Sequence, residues 1–238
     1  APLRAVAVGS VLPDSFRGGP APVLLERIDD YRLDVSEGFL GELRALHADR
    51  SPLAVAGRRT LDALDSVRSL KGDPGFPDTG LGRGLSQVSA LAKAGVGLEI
   101  ATLDLGLWDT HAGQGPWIDR LLGELGGALA AFDRSLGDAR KRVTTVVMSE
   151  FGRRIEENAA LGTDHGRGTA MLVMGERLPG TGVLGRWPGL RPEDRDGPGD
   201  LRVTTDYRSV LSELVAGRLR GTPAAVFPGF HPAAPLLS

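Results

Sequence analysis

Carboxylate and imidazole side chains occur together at three places in the second half of the chain. Asp109 and His111 are two residues apart, Glu150 follows later, and Asp164 and His165 are adjacent. Where thiolates are absent, carboxylates and imidazoles are the ligands that a divalent ion such as Zn²⁺ takes in proteins. We therefore predict a metal site built from these five residues, with zinc expected first and calcium, magnesium or manganese as alternatives.

Structural roles are the alternative for the same residues. Asp and His side chains in loops often cap helices or accept hydrogen bonds in turns. Glu150, with Arg153 and Arg154 close behind it, also suits a structural ion pair. The two other histidines are expected outside the site, because His47 lies among leucines on a predicted helix and His231 lies in a proline-rich tail.

Composition excludes several classes of function. The chain has no cysteine, so disulfides, zinc–thiolate sites and thiol nucleophiles are ruled out. A net charge of -2 over 238 residues gives no field that would attract nucleic acid or an anionic membrane. No apolar run has the length of a membrane span, and no signal peptide is visible. The glycines at 80–84 do not follow a predicted strand, which argues against a dinucleotide site.

Strand and helix patterns alternate along the chain, and these elements must position the candidate ligands. Strands are predicted at 3–8, 98–105, 143–148 and 171–174. Two helices are predicted between 36 and 70, a third after the linker at 71–79 that ends at Gly95, a fourth over 116–136 and a last one from Asp206 to 219. The segment at 10–34 is predicted to be an irregular loop. The alternation predicts an α/β chain with a largely parallel sheet that helices cover on both faces.

The candidate ligands stand close to predicted strand ends. Asp109 and His111 follow the strand at 98–105, and Glu150 follows the strand at 143–148. Asp164 and His165 stand in the loop that leads into the strand at 171–174. Because ligands of open α/β sheets bind beyond the carboxyl ends of the strands, we expect the site at that edge of the sheet.

Four motifs in combination resemble a known family. They are Trp108-Asp109-Thr110-His111, Ser149-Glu150-Phe151-Gly152-Arg153, Thr163-Asp164-His165-Gly166 and Asp206-Tyr207-Arg208. Together they are similar to the bacterial domain-of-unknown-function family 1501, which belongs to the alkaline-phosphatase-like and sulfatase-like superfamily. The resemblance covers most of the chain and is best from about residue 80 to 219.

The resemblance implies a three-layer α/β/α fold, alkaline-phosphatase-like, with one or two metal ions and hydrolysis of a small anionic ester of phosphate or sulfate. Asp109 and His111 correspond to ligands of the first metal, Glu150 to an Asp on the second, and His165 to a late His ligand. We expect Arg153 and Arg167 to hold the anionic group of the substrate bidentately. The family also implies export to the periplasm or the exterior.

Two departures and one absence set limits on this resemblance. Phe151 stands where relatives carry the His of the second metal, and Leu107 replaces the Gly common before the Trp. Relatives have an early strand with an Asp ligand and a nucleophile, and nothing in residues 1–30 fits. We therefore expect one domain over 1–238 whose N-terminal portion, with the nucleophile, is missing from this chain or held as a separate piece that acts as its partner, so that this chain alone is inactive. The alternative is a non-catalytic exported scaffold or binding protein.

Overall fold

The computed structural model describes residues 3–17, 22–31, 35–176, 178, 180–232 and 235–237. The chain divides into two compact units. The first comprises Ala1–Gly106 and Leu122–Ala139, and the second comprises Leu107–Leu121 and Arg140–Ser238. The expectation of a single domain over 1–238 stays a prediction.

A parallel three-stranded sheet lies in the first unit. Strand β1 (Ala5–Val8) is its middle strand and pairs in parallel with β2 (Val23–Leu25) and with β3 (Ile100–Leu103). In this register Val6 lies opposite Ala101. The strands predicted at 3–8 and 98–105 are therefore confirmed, although both are shorter than predicted.

Strand β2 lies in the segment that the sequence predicts as an irregular loop. The described residues of the same segment also form 3-10 turns at Asp14–Phe16 and Ile28–Tyr31. The glycines and proline at 18–20, which support the loop prediction, lie outside the described residues. Three apolar residues are too few to show a period, so the strand is defined only by its pairing with β1.

The predicted helices of the first half are confirmed. They are α1 (Glu37–Leu46), α2 (Pro52–Val67), α3 (Gly80–Ala94) and α4 (Gln114–Leu136). Ser36, Ser51 and Thr79 cap the first three by accepting a hydrogen bond from a first-turn N–H group. Gly95 and Gly137 follow α3 and α4 in the left-handed conformation that favours glycine. In the described part of the chain, no helix is both long and apolar enough to cross a membrane.

The core of the first unit packs around the sheet. Its buried residues are Leu3, Val6, Leu25, Ile28, Ala63, Val67, Ala90 and Leu91. Full burial of a Leu or Val side chain stabilises the fold by about 1.5–3 kcal/mol. Gln87 is also buried, and its amide is satisfied because it accepts from Ile28 N at 2.6 Å and donates to Glu26 O at 3.1 Å.

The described residues of the second unit contain two short antiparallel pairs, the start of α4 and two further helices. Strand β4 (Thr145–Val147) pairs with β7 (Leu172–Met174), and β5 (Gly152–Arg153) pairs with β6 (His165–Gly166). The helices are α5 (Tyr207–Gly217) and α6 (Pro223–Val226). The predicted strands at 143–148 and 171–174 and the predicted final helix are thus present.

The antiparallel pairs depart from the predicted mostly parallel sheet. Parallel neighbours need a crossover of a dozen or more residues, which is usually a helix. The chain between β4 and β7 contains no helix and folds back through β5 and β6 instead, so the two strands run in opposite directions. The mixed α/β class is therefore confirmed, and the parallel arrangement holds for the sheet of the first unit.

Candidate metal centre

Three of the five predicted ligands come together in the second unit. Asp109, His111 and His165 each offer one donor atom, and these atoms lie within 4.8 Å of one another. Asp109 Oδ1 lies 2.6 Å from His165 Nε2 and 2.9 Å from His111 Nε2. All three residues are exposed. We name these three residues the Asp–His cluster.

Loops, and not the carboxyl edge of one sheet, carry the Asp–His cluster. Asp109 and His111 lie in the 107–113 loop before α4, and His165 begins β6, opposite Arg153 of β5. Strands β3 and β4, which precede the motifs in sequence, belong to different sheets. The expected location at a common strand edge therefore stays a prediction, whereas the expected meeting of Asp109, His111 and His165 is seen.

Main-chain contacts fasten the 107–113 loop to the 155–164 loop. The N–H groups of Gly113 and Gln114 donate to two consecutive carbonyl oxygens, those of Ala160 at 2.9 Å and Leu161 at 2.8 Å. The two loops approach so closely at Gly162 that a Cβ there would lie 2.2 Å from a main-chain carbonyl carbon of the 107–113 loop. A Cβ at this distance overlaps main-chain atoms, so glycine at 162 allows the close approach of the two loops that carry the cluster.

Asn158 is a residue of the site that sequence reasoning missed. Its Oδ1 accepts hydrogen bonds from the N–H groups of Ala160 at 2.9 Å and Gly162 at 3.1 Å. Its Nδ2 donates to the carbonyl oxygen of His111 and to Oδ1 of Asp164, both at 3.0 Å. An asparagine side chain often accepts a hydrogen bond from the backbone two residues further on and so stabilises a turn. An asparagine in this loop was therefore the feature of the sequence that could have indicated the turn.

Asp164 lies behind His111 instead of in the Asp–His cluster. Its Oδ1 is 3.5 Å from His111 Nδ1, and its Oδ2 is 3.8 Å from Arg154 Nη1. The hydrogen bond from Asn158, followed by that from His111, lowers the pKa of Asp164 below its ordinary value. Asp164 is therefore a carboxylate at neutral pH, and its direct binding of a metal stays a prediction.

Asp109 is held in its ionised form by its neighbours. The hydrogen bond from His165 is the main cause that lowers the pKa of Asp109, and the charges of His111 and Arg153 act in the same direction. Asp109 therefore has the ionised form that binds a divalent ion, and the imidazole nitrogens that face it would have to release their protons to bind the same ion.

Arg153 joins the two loops. Its guanidinium donates to the carbonyl oxygens of Trp108 and Thr163, and its Nη2 lies 3.6 Å from Asp109 Oδ1. These hydrogen bonds use two of the five N–H donors of the group. The guanidinium of Arg153 therefore keeps further N–H donors beside the cluster for the anionic group of a substrate, and that contact stays a prediction.

Glu150 and Arg167 complete the set of predicted site residues. Both are exposed. Glu150 is not among the described residues whose donor atoms come together in the Asp–His cluster. Its role as a ligand and the role of Arg167 in binding substrate stay predictions.

Phe151 stacks on one of the cluster histidines. Its ring centroid lies 4.4 Å from that of His165, with 19° between the planes, and Arg153 lies over its ring at 5.0 Å. Phe151 therefore orients the imidazole of His165. An aromatic ring provides no ligand atom at the position where relatives are expected to carry the His of a second metal.

The donor set of the Asp–His cluster fits one divalent ion. Two imidazole nitrogens and one carboxylate oxygen are a known combination of three protein ligands in catalytic zinc sites, where a fourth position stays open. The three exposed side chains leave such a position accessible from solvent. The cluster thus has the chemistry of a single open metal site.

Comparison with known proteins gives a match to a family model. A search of curated proteins found no matching protein, and a search of solved structures found no matching structure. The model of the family described as protein of unknown function (DUF1501) matches residues 68–209, more than half of the chain. This stretch contains the whole Asp–His cluster together with Asn158 and Asp164. The chain therefore belongs to the DUF1501 family of proteins of unknown function.

Proposed function

We propose that the protein is a metal-dependent hydrolase of phosphate or sulfate esters. Its Asp–His cluster binds one divalent ion, and zinc is the ion proposed first. The observation that supports this most directly is the convergence of two imidazole Nε2 atoms on one carboxylate oxygen, at 2.6 and 2.9 Å. The three-layer α/β/α arrangement of the alkaline-phosphatase-like superfamily is part of the same proposal.

The side chains around the cluster have distinct tasks in this proposal. Asp109, His111 and His165 hold the ion, which when bound polarises the ester oxygen and lowers the pKa of an attacking oxygen nucleophile. Arg153 and Arg167 bind the anionic group, and Arg153 is supported by its place 3.6 Å from Asp109. The proposal assigns metal-binding and anion-binding groups to this chain and no nucleophilic side chain.

A cavity of the second unit suits the organic part of an ester. Its volume is about 210 Å³, and Thr163, Gly162 and Leu161 line one side. Ile118 and Asp119 are also in the lining. Thr163 is two residues from His165 of the cluster in the sequence, and the lining offers both apolar and carboxylate contacts.

Metal analysis tests the ligand assignment. We expect the protein to bind zinc stoichiometrically and the double variant His111→Ala, His165→Ala to lose it, because two of three donors are gone. His231→Ala is the matched control, since it removes an exposed histidine outside the cluster. Retention of stoichiometric zinc by the double variant would contradict the assignment.

A non-catalytic exported scaffold is the second candidate, and Phe151 favours it because its ring replaces a ligand of the second metal. Nitrophenyl phosphate and nitrophenyl sulfate, each offered with zinc, calcium, magnesium or manganese, separate the two candidates when the assay includes the N-terminal portion that is expected to carry the nucleophile. Ester cleavage that is lost in Glu150→Ala would support the hydrolase and exclude the scaffold. Stoichiometric zinc without cleavage of either ester would support the scaffold.

A further inference from the structure

We infer that Asp164 is a positioning residue, which acts on the metal through His111 and is not itself a ligand. The inference rests on the proposed metal site. It is carried by one juxtaposition: Asp164 Oδ1 lies 3.5 Å from Nδ1 of His111, while Nε2 of the same ring lies 2.9 Å from Asp109 Oδ1. The two carboxylates therefore face opposite nitrogens of one imidazole.

The two ring nitrogens of His111 have different tasks in this arrangement. A metal-binding nitrogen must offer its lone pair, so Nε2 is unprotonated and the proton of the neutral ring lies on Nδ1. A carboxylate that accepts a hydrogen bond from Nδ1–H fixes this tautomer, orients the ring and makes Nε2 a stronger donor to the metal. Asp164 lies where that carboxylate is needed.

The position of Asp164 is itself fixed by the 155–164 loop. Asn158 Nδ2 donates to Asp164 Oδ1 and to the carbonyl oxygen of His111, both at 3.0 Å. One amide group therefore holds both members of the pair at their present separation. The main-chain N–H of Arg154 also donates to the carbonyl oxygen of Asp164, at 3.0 Å.

The carboxylate oxygens of Asp164 already have other neighbours. Oδ1 accepts from Asn158 and faces His111, and Oδ2 lies 3.8 Å from Nη1 of Arg154. The next residue, His165, instead faces Asp109 Oδ1 at 2.6 Å. Two adjacent side chains thus serve the same metal site at different levels, one as a ligand and one behind a ligand.

Zinc affinity at one fixed pH is the first measurement, by competition with a chromophoric chelator. We expect Asp164→Ala to weaken binding by 10–100-fold, the usual effect of removing a group that supports a metal ligand. Asp164→Asn should weaken binding less, because its amide oxygen can still accept from Nδ1–H. Asp104→Ala is the control, since Asp104 is an exposed aspartate outside the cluster.

Two spectroscopic readouts separate positioning from ligation and from general support of the fold. The visible spectrum of the cobalt-saturated protein should be the same with and without the Asp164 carboxylate, because the ligand set does not change. In the zinc-loaded protein, the Nδ1–H proton of His111 should give a resolved NMR signal that Asp164→Ala loses by exchange with water. Asp164→Asn, which keeps a hydrogen-bonding side chain in the loop, undergoes the same measurements.

Each outcome has a definite meaning. Equal zinc affinity in the unsubstituted protein and Asp164→Ala overturns this inference and leaves the proposed function in place. A changed cobalt spectrum at saturation makes Asp164 a ligand and also overturns the inference. If the unsubstituted protein binds neither ion, the inference and the proposed metal site fail together.

Discussion

Replacing Gly162 with alanine tests whether the contact between the 107–113 and 155–164 loops builds the metal centre. The added Cβ would lie 2.2 Å from the carbonyl carbon of His111, 2.3 Å from its oxygen and 2.6 Å from the nitrogen of Ala112. These are main-chain atoms, so no side-chain rotation relieves the overlap. An ordinary van der Waals contact begins at 3.4 Å, so the loops must separate by about 1 Å.

The expected loss of stability follows from that overlap. Overpacking of a close contact costs about 1–3 kcal/mol. Separation of the loops instead strains the two main-chain hydrogen bonds to the carbonyl groups at 160 and 161, each worth about 0.5–1.5 kcal/mol. Both routes lower the free energy of unfolding by about 1–3 kcal/mol. A shift of about 1 Å also exceeds the roughly 0.5 Å that a functional site tolerates, so zinc affinity should fall at least tenfold.

Urea unfolding and zinc titration of two alanine variants provide the assay. Gly126→Ala is the matched control, because Gly126 lies within α4 and a Cβ there meets no heavy atom within 4 Å. Alanine is favoured over glycine in a helix by about 0.5–1 kcal/mol, so this variant should be more stable and bind zinc unchanged. If Gly162→Ala matches the unsubstituted protein in both stability and zinc affinity, the loop contact does not build the site.

Two further substitutions test local features of the second unit. Leu107 has φ 71° and is 66% exposed, and an L-residue in this left-handed conformation costs about 1–2 kcal/mol. After the entropy cost of glycine is subtracted, Leu107→Gly should raise the free energy of unfolding in urea by about 0.5–1 kcal/mol. A lower free energy of unfolding would refute the backbone strain. Asp206 caps α5 by accepting from Arg208 N, so Asp206→Ala should cost about 1 kcal/mol at neutral pH. The hydrogen bond from Arg208 lowers the pKa of Asp206, so its contribution is complete above the ordinary Asp pKa and is lost as pH falls through the lowered one. As pH falls through this range, the free energy of unfolding should therefore decrease less in Asp206→Ala than in the unsubstituted protein. If the free energy of unfolding changes with pH equally in both, the role of the ion pair is contradicted.

Helices were predictable from sequence because their indications are local. Ser51 followed by Pro52 predicts the start of α2, and the side chain of Ser51 does accept from the third residue after it. Gly137 predicts the end of α4 and has the positive φ, 51°, that ends a helix in this way. Caps and breakers act within one or two turns, so the sequence contains the whole cause.

Strand pairing was less predictable because it depends on distant residues. Strand β2 has only three residues, and its partner in β1 lies 17 residues away along the chain. The β-branched run around β4 predicts a strand but not its direction relative to β7. That direction follows from the absence of a helix between the two strands, which is a property of the connection and not of either strand.

The residue types of the candidate metal site could be predicted better than their arrangement. By residue type and spacing alone, Asp109 and Asp164 are equivalent candidates, because both stand within two residues of a histidine; the family resemblance assigns only Asp109 to the first metal. Their difference lies in which nitrogen of His111 each one faces, Nε2 for Asp109 and Nδ1 for Asp164. Asn158 determines this by holding Asp164 and the main chain of His111 with one amide group. Residue type thus predicts what can bind a metal, whereas the loop contacts place the two carboxylates at opposite nitrogens of one imidazole, and the proposed roles of Asp109 and Asp164 depend on that placement.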